Sequence, residues 1–270
     1  MLRYLIMRNY YVALGIQTIK EAMAYRLNFI LSFLVVIIPL AGQLLLSKYI
    51  YSMGYQIGSW QLNQLLAYYL IATIASEFFS IGTWWDIGND IKNGGLSSHL
   101  VKPYSYYWHN FSVYYTLRVV SISFALIVAY IAYVVISGSL IPHIQANSIL
   151  QFLILALITA PLSFLITYSL SILAFFFTDI GFIMKLLGIL LPFASGNILP
   201  LDIFPTPIRV VLVKLPSAYL VYHPSCIMSG VYNWNEFVQL VGEALLWLLL
   251  FLFIVRWLWS KGRRSYEAIG

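Results

Sequence analysis

Six apolar stretches, 18 to 29 residues long, leave this chain few ways to fold. They run about Leu27 to Leu46, Leu62 to Trp85, Val113 to Ile136, Ile149 to Phe177, Phe182 to Leu199 and Phe237 to Trp259. Twenty residues at the helical rise cover about 30 Å, the thickness of bilayer hydrocarbon, where every backbone N–H and C=O needs a partner within the protein. A helix supplies those partners within one segment, so the expected fold is an all-α membrane protein with six transmembrane helices. Only 9% of the 270 residues are charged, against about 25% in a soluble domain. The mean hydropathy is +0.86. No internal repeat, low-complexity linker or soluble domain is visible, so residues 1–270 read as one membrane domain.

The cations set the orientation. One side collects Arg3, Arg8, Lys20, Arg26, Lys92, Lys102, Lys185, Lys261, Arg263 and Arg264, and the other has only Lys48, Arg209 and Lys214. Positive loops stay in the cytoplasm, which places both termini and the Asp86 to Phe111 stretch on the cytoplasmic side of the membrane. The net charge of +6 points to membrane lipid with anionic headgroups and not to nucleic acid. Arg8 interrupts the first apolar run, so the opening residues do not read as a cleavable signal. Residues 1–26 instead place Val12, Ile16, Ile19 and Met23 at helical spacing, with Gln17, Lys20 and Glu21 on another face. That pattern predicts an amphipathic helix lying in the interface. The single cysteine, Cys226, has no internal disulfide partner and reads as a small apolar residue.

Two connections stand out. Residues 86–112 carry Asp86, Asp90, Lys92, Gly94, Gly95, His99, Lys102 and Pro103 between two spans. The paired glycines break a helix entering from Asp90 and Pro103 ends the next, leaving Leu96 to Val101 as a brief helix. Composition alone reads this as an ordinary polar connection, but its length and internal breaks read as a shape to be gripped by a partner. Residues 196–235 hold five of the ten prolines: Pro200, Pro205, Pro207, Pro216 and Pro224. The apolar pieces between them, Ile208 to Leu215 and Ala218 to Tyr222, are too short to span. They read as helices that dip into the outer leaflet and return, the rival being an outer loop without depth.

With these residues in view, the chain resembles the permease subunits of type-two ATP-binding-cassette exporters. The resemblance rests on Asp90-Ile-Lys-Asn-Gly94-Gly-Leu-Ser-Ser-His-Leu-Val-Lys-Pro103, on Leu199-Pro-Leu-Asp-Ile-Phe-Pro205, and on Leu215-Pro216 and Tyr222-His-Pro224. It implies six spans, a cytoplasmic coupling helix between the second and third, and re-entrant outer helices before the sixth. It also implies two separate ATPase subunits and a second permease, either a copy or a homologue. Lys92, Gly94, Gly95, Leu96, His99, Leu100, Lys102 and Pro103 match the coupling segment, and Lys20 and Glu21 the other cytoplasmic contact. ATP and Mg belong to the partner, since no G-x-x-x-x-G-K-[ST] run is present here.

Within the spans, Glu77 shares a face with Thr73, Ser76 and Ser80. A carboxylate at that depth costs several kcal/mol unless paired, protonated or wet. Arg118 on the next span is the expected partner, against a rival in which it snorkels to headgroups, as Arg256 is expected to do. Glu243 lies nearer the outer interface. The histidines, His99, His109, His143 and His223, fall in separate connections without metal-ligand spacing. Trp84, Trp85, Trp108, Trp257 and Trp259 read as interface anchors. Tyr68 and Tyr69 read as packing residues or the lining of a cargo path. A secondary transporter or channel is the alternative function, but its usual inverted repeat is not seen. A membrane-embedded enzyme would need polar groups converging at one depth.

Overall fold

Pairs of side chains along the helices define two ends of the bundle in the computed structural model. It describes residues 2–24, 26–78, 84–136, 145–177 and 181–266, and every structural statement concerns these. The elements are α1 (Leu2–Ala24), α2 (Arg26–Ser52), α3 (Leu62–Phe78), α4 (Trp84–Lys92), α5 (Leu96–Leu100), α6 (Tyr106–Ile136), α7 (Ala146–Ser171), α8 (Gly181–Ala194), α9 (Thr206–Lys214), α10 (Tyr222–Met228) and α11 (Trp234–Ser265). A 3-10 turn, Ile172–Phe175, extends α7, and another, Leu201–Ile203, precedes α9.

Phe33 of α2 meets Phe124 of α6 at 4.5 Å between ring centroids. Residues 37–48 of α2 then line one groove with residues 128–135 of α6. The registers rise together, so these two helices run the same way. Likewise Leu155 of α7 packs with Phe237 and Leu240 of α11, and farther on Tyr168 and Phe175 both meet Trp259. One end gathers α4, α5 and the C-terminal turns of α11. The far end gathers α9, α10 and the start of α11.

Among the described residues, α2, α6, α7 with its 3-10 extension, and α11 contain stretches long and apolar enough to cross a membrane. α3 and α8 are apolar but shorter. The structure redraws several expected limits. α2 continues six residues past Leu46 and takes in Lys48. Of the expected second span, the described residues show α3 to Phe78 and α4 from Trp84, and 79–83 lie outside the described residues. α6 begins seven residues before Val113, since Tyr106 to Ser112 extends the helix beyond the apolar run. α11 starts at a reciprocal cap, in which Glu236 N–H donates to Asn233 Oδ1 at 3.0 Å and Asn233 N–H to Glu236 Oε2 at 2.9 Å. Its last turn carries Arg263 and Arg264, which complement the helix dipole.

The buried hydroxyls of α7 show how polar groups are kept in an apolar bundle. Thr159, Ser163, Thr167, Ser169 and Ser171 are all buried, and each donates to a carbonyl three or four residues back. Tyr68 and Tyr69 are buried in the core. Tyr68 donates to the Gly196 carbonyl at 2.6 Å, which makes it a packing residue. Ser80, His143 and the expected turn at Thr178-Asp179-Ile180 lie outside the described residues, as do the side chains of Trp84 and Trp85.

Candidate functional site

The loop end is built around two glycines and one aspartate. Gly94 has φ +76°, a left-handed conformation that glycine adopts without Cβ strain, and it turns the chain from α4 into α5. A Cβ on Gly95 would lie 3.2 Å from Asp90 Oδ1, so the turn closes onto the carboxylate. Tyr106 donates to Asp90 Oδ2 at 2.9 Å, and His99 Nε2 stands 3.8 Å from the same oxygen. His99 Nδ1 is hydrogen-bonded to Tyr104 OH at 2.8 Å. Burial pushes the His99 pKa below its ordinary value; Asp90 opposes the shift and Lys102 adds to it.

His99 and His109 both fall within residues 86–112, against the expectation of separate connections, and their rings stand 5.2 Å apart. His109 Nδ1 is hydrogen-bonded to Tyr10 OH at 2.8 Å, and Tyr10 stacks on Tyr104 at 4.7 Å. Thus α1 meets the loop through Tyr10. Lys20 and Glu21 are exposed farther along α1, where Glu21 accepts from Gln17 at 2.8 Å. The exposed Val12, Ile16, Ile19 and Met23 keep the apolar stripe seen in the sequence.

The predicted coupling residues fall into two groups. Leu96 is fully buried with Ile87, Ile91, Tyr106, Tyr168 and Ile172, so it anchors α5. Ser97 Oγ is hydrogen-bonded to Tyr266 OH at 3.1 Å, which ties α5 to the end of α11 as well. Leu100, Lys102 and Pro103 are exposed. Val101, between them, is 84% exposed and is the most prominent apolar group of the tip. Sequence reasoning singled out neither Val101, Tyr10 nor Tyr266. No local pattern marks Tyr10 or Tyr266 as a neighbour of the loop, since each reaches it from a distant part of the chain.

The intramembrane pair forms differently from expectation. Arg118 does not snorkel; it is buried, with its guanidinium 5.2 Å from the Tyr114 ring centroid. Its Nη1 donates to the Glu77 backbone carbonyl at 3.5 Å, and no Glu77–Arg118 carboxylate bridge is present among the described residues. The rotamer that stacks on Tyr114 points the guanidinium at main chain instead. Arg256 is exposed, as a snorkelling residue would be.

The family model described as ABC-2 family transporter protein matches residues 37–270, from within α2 through both ends of the bundle to the last residue. The chain belongs to the ABC-2 transporter family. It is a membrane-embedded transport component and not itself the ATPase. No curated protein matches the sequence.

At the far end of this ABC-2 protein, side chains from α2, α3, α9, α10 and α11 and from the 3-10 turn meet around the break before α9 and α10. Gly196 has φ +81°, and a Cβ there would come within 2.8 Å of Tyr68 OH and 2.9 Å of Tyr222 Cβ. Gln43 donates to the Asn197 carbonyl at 2.9 Å. Asp202 pairs with Arg209 at 2.6 Å and accepts from Tyr222 OH at 2.8 Å. Glu243 pairs with Lys214 and accepts from Tyr219. The expected second re-entrant piece is shifted: residues 218–221 are buried turns, and the helix is Tyr222–Met228, buried from Tyr222 to Ile227. Pro224 lies in its first turn, where a missing N–H costs nothing. α9 has no buried residue and exposes Ile208, Val210 and Val211.

Proposed function

We propose that the chain is one permease half of an exporter for an amphiphilic or hydrophobic molecule, driven by two separate ATPase subunits. The observation that carries this reading is the tip Leu100-Val101-Lys102-Pro103, an exposed apolar and basic knob on a helix whose base, Leu96, is sealed in the core. Exposed apolar groups on a rigid, polar-rimmed element fit a protein groove. Displacement of the tip would act on α6 through Tyr106, on α11 through Tyr266 and on α1 through Tyr10, a wider set than the two flanking spans. A second permease, identical or homologous, completes the pathway, while ATP and Mg stay with the ATPases.

In this reading six helices pass alternately between the two ends, α3 and α8 being the short passes. The loop end and both termini are cytoplasmic, in a bacterial plasma membrane, and α9 and α10 face outward. The test is copurification with the cognate ATPase and its stimulation, comparing wild type with Val101→Asp and with Gly94→Ala/Gly95→Ala. Both variants should insert normally. Val101→Asp should lose the ATPase, and the double alanine should hydrolyse ATP without transport. Wild-type transport in both variants would reduce the loop to a connection. Labelling of Lys102→Cys from outside intact cells, in a Cys226→Ser background, would overturn the orientation.

A further inference from the structure

Toward the far end, α2 and α6 leave between them a groove of about 340 Å³, lined by Ile37, Leu40, Ala41, Leu44, Leu45, Lys48, Val128, Ile131, Ala132 and Val135. Ala41 and Ala132 make it concave, and its other walls are branched aliphatic chains. Lys48 is the one charged group of the lining. It has no ion pair or hydrogen bond among the described residues. It lies four residues from the end of α2, beside the exposed Tyr49. Val135 is next to the last described residue of α6, and Lys48 sits in the last two turns of α2, so the charged end of the groove lies toward the far end. From Lys48 to Ile37 is eleven residues, or about 16 Å, close to half the hydrocarbon thickness.

We propose that this groove is a binding site for one phospholipid of the leaflet on the far-end side. An acyl chain would lie between α2 and α6, with its phosphate at the Lys48 ammonium. The shape fits one tail, the length fits one leaflet, and the unpaired cation stands at headgroup depth, where tyrosines also collect. Acidic headgroups bind better than zwitterionic ones, whose own ammonium competes with Lys48 for the phosphate.

The test uses the full chain in phosphatidylcholine vesicles containing a minor fraction of phosphatidylglycerol with a photoreactive acyl terminus. After irradiation, label should concentrate on peptides from residues 37–48 and 128–135. Ala132→Trp, which fills the floor, should cut that labelling about ten-fold by displacing several methylenes. Lys48→Gln should cut it about five-fold by removing one headgroup charge contact. Unchanged labelling in either variant overturns the proposal. So does equal labelling of the exposed α11 ridge at Leu246, Leu249 and Phe253, which would make the groove ordinary lipid-facing surface. A spontaneous disulfide between two chains carrying Ala132→Cys in a Cys226→Ser background would assign the groove to a second copy.

Discussion

Asp90 at the loop end and Asp202 at the far end are held in nearly the same way, yet they make different joints. Each accepts a tyrosine hydroxyl, from Tyr106 at 2.9 Å and from Tyr222 at 2.8 Å. Each faces one nitrogen base, His99 at 3.8 Å and Arg209 at 2.6 Å. Arginine is always charged, so the far-end pair persists at every physiological pH. Burial lowers the His99 pKa, so near neutrality Asp90 keeps the Tyr106 hydrogen bond and has no ion pair with His99. The far end also buries its central helix, α10, whereas the loop end buries only the base of α5 and leaves its tip free. One region is clamped and the other is a handle on a fixed root.

If the root matters as much as the tip, the largest effect comes from Leu96→Ala. Removing a fully buried leucine side chain costs about 3 kcal/mol or more, because the neighbours only partly close the cavity. Val101→Ala, five residues on at an 84% exposed position, should leave stability within about 0.5 kcal/mol. Thermal unfolding in nanodiscs separates them, and equal shifts would mean that α5 has no distinct root.

The clamp is tested next by Gly196→Ala, expected to cost about 3 kcal/mol. The added Cβ would crowd Tyr68 and Tyr222 at a positive φ, so strain and overlap act together. Gly230 shares the positive φ, +73°, but has open space around its Cβ position. Gly230→Ala should therefore cost only about 1 kcal/mol. Similar losses for both would show that backbone strain alone, and not close packing, holds the far end.

A pH scan gives the third contrast. His223, in α10 and outside the membrane-spanning helices, accepts from Tyr232 OH at Nδ1 (2.8 Å) and donates from Nε2 to the Val213 carbonyl (3.0 Å). Both bonds suit the neutral ring, and burial lowers its pKa to about 4. The folded pKa lies below the unfolded value of about 6.5, so the unfolded chain binds the extra proton first. Stability is thus full above about pH 6.5 and is lost as pH falls toward 4. Between about pH 7 and 5 the loss is about 2 kcal/mol, and His223→Gln should flatten it. An unaltered pH profile in that variant would place the acid sensitivity elsewhere.

The loop end was the more legible region because its punctuation acts locally. Gly94-Gly95 and Pro103 bracket Leu96 to Val101, and the observed α5 ends one residue sooner. At the far end the prolines misled: Pro224 reads as a break but occupies the first turn of α10, and the burial of residues 218–221 depends on distant helices. Arg118 beside Glu77 was legible as proximity. Which atom its guanidinium meets was not, since that depends on the rotamer chosen against Tyr114. The His99–His109 approach and the Tyr266 contact join residues through the fold, and no local pattern announces them.

The smallest effect separates the two carboxylates by their cations. Arg209 is half exposed, at 50% of its side chain, so its bridge to Asp202 is worth about 0–1 kcal/mol despite the short distance. Arg209→Gln should cost no more than that, because Asp202 keeps the Tyr222 hydroxyl. His99→Gln should cost a similar amount for a different reason, the lost Tyr104 contact. Salt distinguishes them. At about pH 7.5, high salt screens a charged surface pair, and the Debye length falls to about 3 Å at 1 M. The difference between wild type and Arg209→Gln should therefore shrink with salt. The difference between wild type and His99→Gln should hold constant there, since the imidazole is neutral, and become salt-dependent only on acidification. If the His99 difference already shrinks with salt at pH 7.5, His99 is charged beside Asp90, and the loop end is clamped in the same way as the far end.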